Sequence, residues 1–401
     1  MRTLLFAIAL AGCAGNQSGN VSAPSGGDLT NPAERSSPIS ALDAACGPGR
    51  ATETGSVIKR APYLQQVTST SAKVGWVTSA PDGERVDITL PDGTKVGSAP
   101  GIDESSAVRF TGQHQMWASI RGLQPDTIYC YEVANGSVLR ERTGFRTAPL
   151  ATDPDPVRFL VFGDSGGDNS DQRALLEQMY TVPYDLIIHT GDLAYNDGKL
   201  GQFESTVFRI YAELFARIPF FPAAGNHEYN TAKGAAFRSV FSLPGDSGEK
   251  WYSYDWGNVH FVALDTEASY TEQAAWLDAD LAATEQPWKI IYMHRPPYSS
   301  GDHGSDTSLR AKLAPVVEKH GVQLVLAGHD HNYERMTPQN GVAYVVTGGG
   351  GIGTRPVGTS SFTAFSAEVI HFVYGEVFAD KMVLHAIDGT GVEFDSMVIP
   401  R

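Results

Sequence analysis

Gly191-Asp192-Leu193-Ala194-Tyr195 places a carboxylate and a phenol at one turn. The turn follows Leu186-Ile187-Ile188, an apolar run that reads as a buried strand. A carboxylate has two oxygens, so Asp192 can serve two metal ions at once. Tyr195 lies three residues on and shares that side of the chain if the turn is helical. A phenolate suits a hard, highly charged cation such as ferric iron. Four other apolar runs end in oxygen or nitrogen donors. Phe162-Gly163-Asp164-Ser165-Gly166 closes one, and Gly225-Asn226-His227-Glu228 follows another. His294 ends Ile290-Ile291-Tyr292-Met293, and Gly328-His329-Asp330-His331 follows Leu324-Val325-Leu326. On extended backbone the imidazoles of His329 and His331 face the same way. Each group alone reads as a turn aspartate, an asparagine cap or a core histidine. Together they point to a metal site, and the donors exceed what one ion needs.

The elements that must position these groups alternate. After a proline-rich linker, Ala148 to Pro156, strands are expected at Val157–Phe162, Leu186–His189, Pro219–Pro222, Val259–Leu264, Lys289–Met293 and Val322–Leu326. Helices are expected at Asp171–Tyr180, Gly201–Arg217, Thr271–Ala283 and Thr307–His320. This is an α/β pattern, in which sites lie outside the carboxyl ends of the strands. The stretch from His371 to Ile399 reads as strands with an Asp388-Gly389 turn, closing that domain.

Ahead of the linker the signals are those of short strands, with turns at Pro81-Asp82-Gly83 and Pro91-Asp92-Gly93. In Lys73–Thr78 the side chains of Val74, Trp76 and Thr78 share one face. Gly122 to Val133 resembles the tyrosine-corner strand of a fibronectin type III domain, which implies an all-β sandwich. The expected organisation is a signal peptide at 1–12, a flexible tether at 13–55, the sandwich at 56–148 and the α/β domain at 157–401.

The chain has 401 residues, 19% charged and 42% apolar, with a net charge of −15. That balance provides no basic footprint for nucleic acid. Arg2 followed by the apolar Leu4 to Leu10 reads as a targeting signal, too short to span a bilayer as a permanent helix. Leu10-Ala11-Gly12-Cys13 resembles the bacterial lipobox. That implies lipidation at Cys13, membrane attachment through the lipid, and a periplasmic or cell-surface location. Cys46 and Cys130 then remain, either paired or as two free thiols. Residues 14–55 are rich in Gly, Ser, Pro, Asn and Ala, as a tether would be.

GDSG, GDLAY, GNHE, MHRPPYSS and GHDHNYER, in this order, resemble the five motifs of purple acid phosphatases within the metallophosphoesterase superfamily. The resemblance covers Val157 to the C-terminus. The sandwich is similar to the domain that precedes catalysis in the family's larger members. Together they imply an all-β sandwich followed by an αββα metallophosphoesterase domain. Carried over, the resemblance implies an Fe(III) site of Asp164, Asp192, Tyr195 and His331. It implies a second site for Zn, Fe or Mn at Asp192, Asn226, His294 and His329. The implied reaction is hydrolysis of phosphate monoesters by a metal-bound hydroxide, the ions clamping an in-line displacement. His227, beside Asn226, and His303, in the loop after His294, are the catalytic candidates. Glu228 is expected to stay off the metals. A phosphodiesterase or nucleotidase on the same centre, or an inactive surface binding protein, are the alternatives.

Other residues read as structural. His189 is expected to pack at a strand end, and His114, His260, His320, His371 and His385 to be structural or exposed. Gly348, Gly350 and Gly353 have dinucleotide-loop spacing, but Thr354-Arg355-Pro356 blocks the helix such a loop needs. Tyr333 and Arg335 have two readings, substrate contact or packing.

Overall fold

The computed structural model describes residues 36–49, 57–104, 112–136, 138–139, 142–245 and 247–401. The signal and lipobox residues and most of the tether lie outside them. Within the expected tether, Ser40–Cys46 is a helix rather than a flexible segment. The reason is tertiary. Cys46 is disulfide-bonded to Cys130, Leu42 is buried, and Asp43 pairs with Arg217 at 3.0 Å.

The N-terminal domain is two antiparallel sheets. One runs Ile58–Gln65, Ser71–Thr78, His114–Arg121, Ile102–Asp103. The other is built on Lys95–Pro100, Arg85–Thr89 and Ile128–Asn135, with Thr143–Arg146 pairing the last of these. The backbone N–H of Gln124 donates to the Tyr129 hydroxyl at 2.8 Å, the tyrosine corner expected of this fold. Val74, Trp76 and Thr78 are buried as the alternation requires. Val77 and Gly75 on the opposite face are buried too, because that face meets the second domain. Tyr63 there packs on Trp117 and on Phe208, at ring distances of 5.4 and 4.8 Å. Gln65 Nε2 donates to the Phe220 carbonyl at 2.7 Å, and the Tyr131 hydroxyl to Ala216 O at 2.7 Å. The sandwich thus braces the strand that leads to Asn226.

The second domain is two stacked sheets flanked by helices. The first sheet runs Phe220–Pro222, Leu186–His189, Val157–Phe162, His371–Val377, Lys381–Asp388, Glu393–Pro400. The second runs Tyr252–Trp256, Val259–Ala263, Trp288–Met293, Leu324–Ala327, Ala343–Thr347, Tyr333–Met336, Thr363–Ala367. Aromatic side chains join the two: Phe159 meets Phe261 at 5.8 Å, and Phe221 stacks on Tyr254 at 3.9 Å. Tyr270–Ala283 and Thr307–Lys319 cover the outer face of the second sheet through Leu277, Leu281, Leu309, Leu313 and Val317. Side-chain caps start both helices: Ser269 accepts from Glu272 N at 3.4 Å, and Asp306 from Leu309 N at 2.8 Å. Leu186–His189 runs parallel to both of its neighbours in the first sheet, as Trp288–Met293 and Leu324–Ala327 do in the second, and these strands are buried on both faces.

The expected helix over Gly201–Arg217 is broken. Phe203–Phe208 is π-helical, and a short helix follows at Ala212–Phe215. Thr206 explains the break. Its hydroxyl donates toward Leu193 O (3.0 Å) and Gln202 O (2.8 Å), and its carbonyl accepts from Gln172 Nε2 at 2.7 Å. The bond to Leu193 ties the helix to the Asp192 turn, and the one from Gln172 takes up the carbonyl that the next turn of the helix would use.

Candidate metal centre

The five strand ends come from two sheets, three from the first and two from the second, and converge between them. Asp164, Asp192 and His329 stand just past their strands with φ of 57, 57 and 72°. Such left-handed backbone costs on the order of 1 kcal/mol or more per residue outside glycine. The close packing of the turns holds it. At Gly191, with φ 99°, a Cβ would sit 2.8 Å from His294 Nδ1. At Gly225 it would sit 2.2 Å from Asp192 Oδ1. Both glycines are demanded by approach of side chains to backbone.

Two clusters share one atom. The Tyr195 hydroxyl lies 3.1 Å from Asp164 Oδ1, 3.1 Å from Asp192 Oδ2 and 3.2 Å from His331 Nε2. His294 Nε2 lies 3.2 Å from the same Asp192 Oδ2, 3.1 Å from Asn226 Oδ1 and 3.1 Å from His329 Nδ1. The ligand atoms of Asp192, His294 and His329 all fall within 4.8 Å of one another. His294 Nδ1 donates to Thr190 O at 3.0 Å, which turns Nε2 toward the cluster. Every sequence-expected donor, Asp164, Asp192, Tyr195, Asn226, His294, His329 and His331, is therefore here.

Burial and neighbouring charge act differently on each of these groups. Burial, with the Asp192 charge, pushes Asp164 well above the usual carboxylate range, and burial beside Asp164 raises the Tyr195 phenol likewise. Burial also acts on Asp192, but the His294 imidazole outweighs it and holds that carboxyl low. His294 is raised to about 10 by Asp192 and Asp164 against its burial, whereas burial lowers His329 to about 2 and His331 to about 3. Two buried carboxyl groups, a phenol and three imidazoles stand on two sides of one oxygen, with the Tyr195 side the richer in oxygen donors. Two cations fit that set, the harder one on the oxygen-rich side.

His227 and His303 bracket the cluster. The His227 ring lies 4.2 Å from that of Tyr195, with Nε2 3.8 Å from Asp192 Oδ2. Its Nδ1 donates to Asn196 O at 2.7 Å. His303 stacks on His329 with ring centroids 4.2 Å apart, so it is no free loop residue. Burial lowers its pKa, and Arg355 and Arg295 add to this against Asp330. The buried Asp330 carboxylate holds the loop by accepting His303 N–H at 2.8 Å and the Ser299 hydroxyl.

Three residues with a bearing on the site carried no signal strong enough to be assigned. Glu228 accepts backbone N–H groups from both the Asp192 turn and Gly225. Arg295 directly follows His294, and its position was the available clue. Arg355 sits in a loop legible only as a helix breaker. Tyr333 and Arg335 turn away from the cluster: both bind Asp395, at 2.8 Å and at 2.7 and 2.9 Å. His189 packs as expected, its Nε2 2.9 Å from the Ser165 hydroxyl.

Residues 157–333 match the calcineurin-like phosphoesterase family, and 61–147 match the purple acid phosphatase N-terminal domain. Acid phosphatase type 7 of Homo sapiens is 30% identical over 304 residues, 67% of this chain and 68% of that protein. A probable inactive purple acid phosphatase 1 of Arabidopsis thaliana is 27% identical over 299 residues, 59% of this chain and 49% of that one. The structure of a purple acid phosphatase from yellow lupin seeds superposes with a TM-score of 0.77, covering 85% of this chain and 74% of that chain at 22% identity. The fold and the paired donor clusters define a dinuclear metallophosphoesterase. The chain belongs to the purple acid phosphatase family of calcineurin-like phosphoester hydrolases.

Proposed function

We propose that this chain hydrolyses phosphate monoesters. The observation that carries the reading is Asp192 Oδ2, shared between the Tyr195 hydroxyl at 3.1 Å and His294 Nε2 at 3.2 Å. Asp164, Asp192, Tyr195 and His331 would hold Fe(III); Asp192, Asn226, His294 and His329 would hold Zn, Fe or Mn. Such a pair, when bound, supplies Lewis acidity to phosphoryl oxygens and acidifies water. The rest falls to the chain. Gly191 and Gly225 let Asp192 sit against His294 and the Asn226 turn. With Nδ1 committed to the Asn196 carbonyl, His227 turns Nε2 to the centre, where it contacts a phosphoryl oxygen. His303, on the opposite flank, faces the ester group. Every donor position is filled, which favours an active enzyme over a binding protein.

Turnover of p-nitrophenyl phosphate and bis-p-nitrophenyl phosphate by the metal-loaded protein tests this. The reading expects the monoester to be the better substrate by kcat/KM and both activities to vanish in chelator. A faster diester would contradict it.

We further propose a lipid-anchored, extracytoplasmic enzyme. The lipobox-like Leu10–Cys13 supports the anchor, and a Cys46–Cys130 disulfide suits an oxidising compartment. Among the described residues no helix is long and apolar enough to cross a membrane. Cys13→Ser should release the protein from the membrane fraction; a processed variant that still fractionates with membranes would contradict the anchor.

A further inference from the structure

The sandwich reaches the metal centre through one short stretch of helix. Glu204 and Thr206 both lie in the π-helical segment Phe203–Phe208. Residues two apart on a helix do not face each other, so these side chains leave it in different directions. Glu204 meets the sandwich. Its Oε1 accepts Arg60 Nε at 2.9 Å, and Arg60 Nη2 contacts the same oxygen. Thr206 meets the donor cluster, its hydroxyl 3.0 Å from Leu193 O. Leu193 directly follows Asp192, and its N–H is held by Glu228 at 2.9 Å. Arg60 is no loose surface cation. It is 3% exposed, its guanidinium stands 3.9 Å over the Phe208 ring, and Nη1 donates to Gln115 Oε1 at 2.7 Å. Phe208 ends the same π-helical segment, so Arg60 grips that segment at two points. From its own domain the segment is held by Gln172 and by Phe237 and Phe241, whose rings pack on Phe203 at 6.4 and 6.0 Å. A guanidinium taken out of water is stabilising only where its acceptors are fixed in place. The burial of Arg60 therefore dictates where Glu204, and with it the segment, must sit.

We propose that Arg60 is a positioning residue of the metal centre, acting through Glu204 and Thr206 on the Asp192 turn. The sandwich is then part of what holds the bridging carboxylate, although none of its residues reaches the donors. This rests on the bridging role given to Asp192 in the proposed function. Asp192 stands at φ 57°, a left-handed conformation that a residue other than glycine keeps only where its surroundings hold it. Glu228 holds the N–H side of that turn, and Thr206 holds the carbonyl that follows it. Releasing the carbonyl lets the turn relax and moves Asp192 Oδ2 relative to Tyr195 and His294. A carboxylate that spans two ions about 3.5–4 Å apart tolerates little of that movement.

Zinc affinity of the full chain, measured by chelator competition, is compared across wild type, Arg60→Met, Thr206→Val and the double variant, each checked for folding by melts. Arg60→Met keeps the stem on Phe208 and loses the ion pair. Thr206→Val keeps the shape and loses the hydroxyl. Each single variant should bind zinc about 10-fold more weakly, the lower end of the loss expected when a group that orients a metal ligand is removed. The double variant should be little worse than the weaker single one, because both changes break one chain of contacts. Lys73→Met breaks a different bond across the same interface, Nζ to Ser242 Oγ at 2.7 Å, and should keep wild-type affinity. Glu204→Gln weakens the same ion pair more gently and takes the place of Arg60→Met should that chain not fold. Wild-type affinity in the Arg60 variant, a loss in Thr206→Val alone, additive losses, or an equal loss in Lys73→Met would each overturn the proposal. A wild-type chain that binds two metals but cleaves neither nitrophenyl ester would fail the hydrolase reading instead, and the affinity comparison would still decide the role of Arg60.

Discussion

Glu228 Oε2 accepts the backbone N–H of Asp192 at 2.9 Å, inside the protein and out of contact with water. The same oxygen takes Gly225 N–H at 2.8 Å, and Oε1 takes Leu193 and Ala194 N–H at 2.9 and 3.0 Å. One carboxylate thus fixes the Asp192 turn against the turn that begins with Asn226.

Glu228→Ala should leave four buried N–H groups without acceptors. The expected loss of stability is about 3 kcal/mol or more, read by denaturant melts. Glu228→Gln has the right shape but offers an NH2 where Oε1 or Oε2 accepted. It should bind less metal per chain than wild type under equal loading, while a large part of the fold survives. Wild-type metal content in both variants would show that the Asp192 turn needs no such brace.

Tyr195→Phe should remove visible absorption from the iron-loaded protein while retaining metal. The phenol oxygen, 3.1 Å from both Asp164 and Asp192, is the one group here able to give phenolate charge transfer. A variant spectrum identical to wild type would remove Tyr195 from the donor set.

His260 is a pH-dependent brace far from the donors. Its Nδ1 pairs with Asp255 at 2.7 Å and its Nε2 with Asp280 at 2.9 Å. Burial lowers its pKa, but the two carboxylates outweigh this and raise it to about 9. A histidine raised in the folded state stabilises fully below its unfolded pKa of about 6.5 and loses that contribution as pH passes the folded value. The unfolding free energy of wild type over His260→Asn should therefore be greatest near pH 6 and shrink by about 1–3 kcal/mol by pH 10. A difference that is flat across this window would contradict the pairing.

The Cys46–Cys130 disulfide joins residues 84 apart in sequence. Removing it should cost about 2–4 kcal/mol, chiefly by freeing the unfolded chain. Thermal melts of Cys46→Ser/Cys130→Ser against wild type measure this. An unchanged midpoint would mean that Leu42 and the Asp43–Arg217 pair hold the helix unaided.

Much of the site was legible because each donor directly follows a buried apolar run. Val157–Phe162 and Leu186–His189 were readable to the residue, since burial on both faces keeps them almost wholly apolar, with Arg158 the one charged interruption. Asp164, Asp192 and Asn226 stand two, three and four residues past their own strands, which marks them as strand-end donors, and the motif resemblance supplied the ligand set. The resemblance implied two facing sheets, but which sheet each strand joins was not readable in the runs themselves, because a parallel strand buried on both sides carries no mark of it. Nor was the break at Phe203–Phe208, which depends on Thr206 bonding to Leu193 rather than on local propensity. Arg355 reaches His303 across 52 residues of chain, a contact set by tertiary packing alone.

The number of metal ions bound per chain tests the central claim most directly. Elemental analysis of the folded wild-type protein, loaded with iron and zinc and freed of excess, should give two per chain. Asp192→Ala, lacking the oxygen shared by Tyr195 and His294, should give fewer than one. A folded wild-type chain that takes up one ion or none, or an Asp192→Ala chain that keeps both, would contradict a dinuclear centre bridged by Asp192.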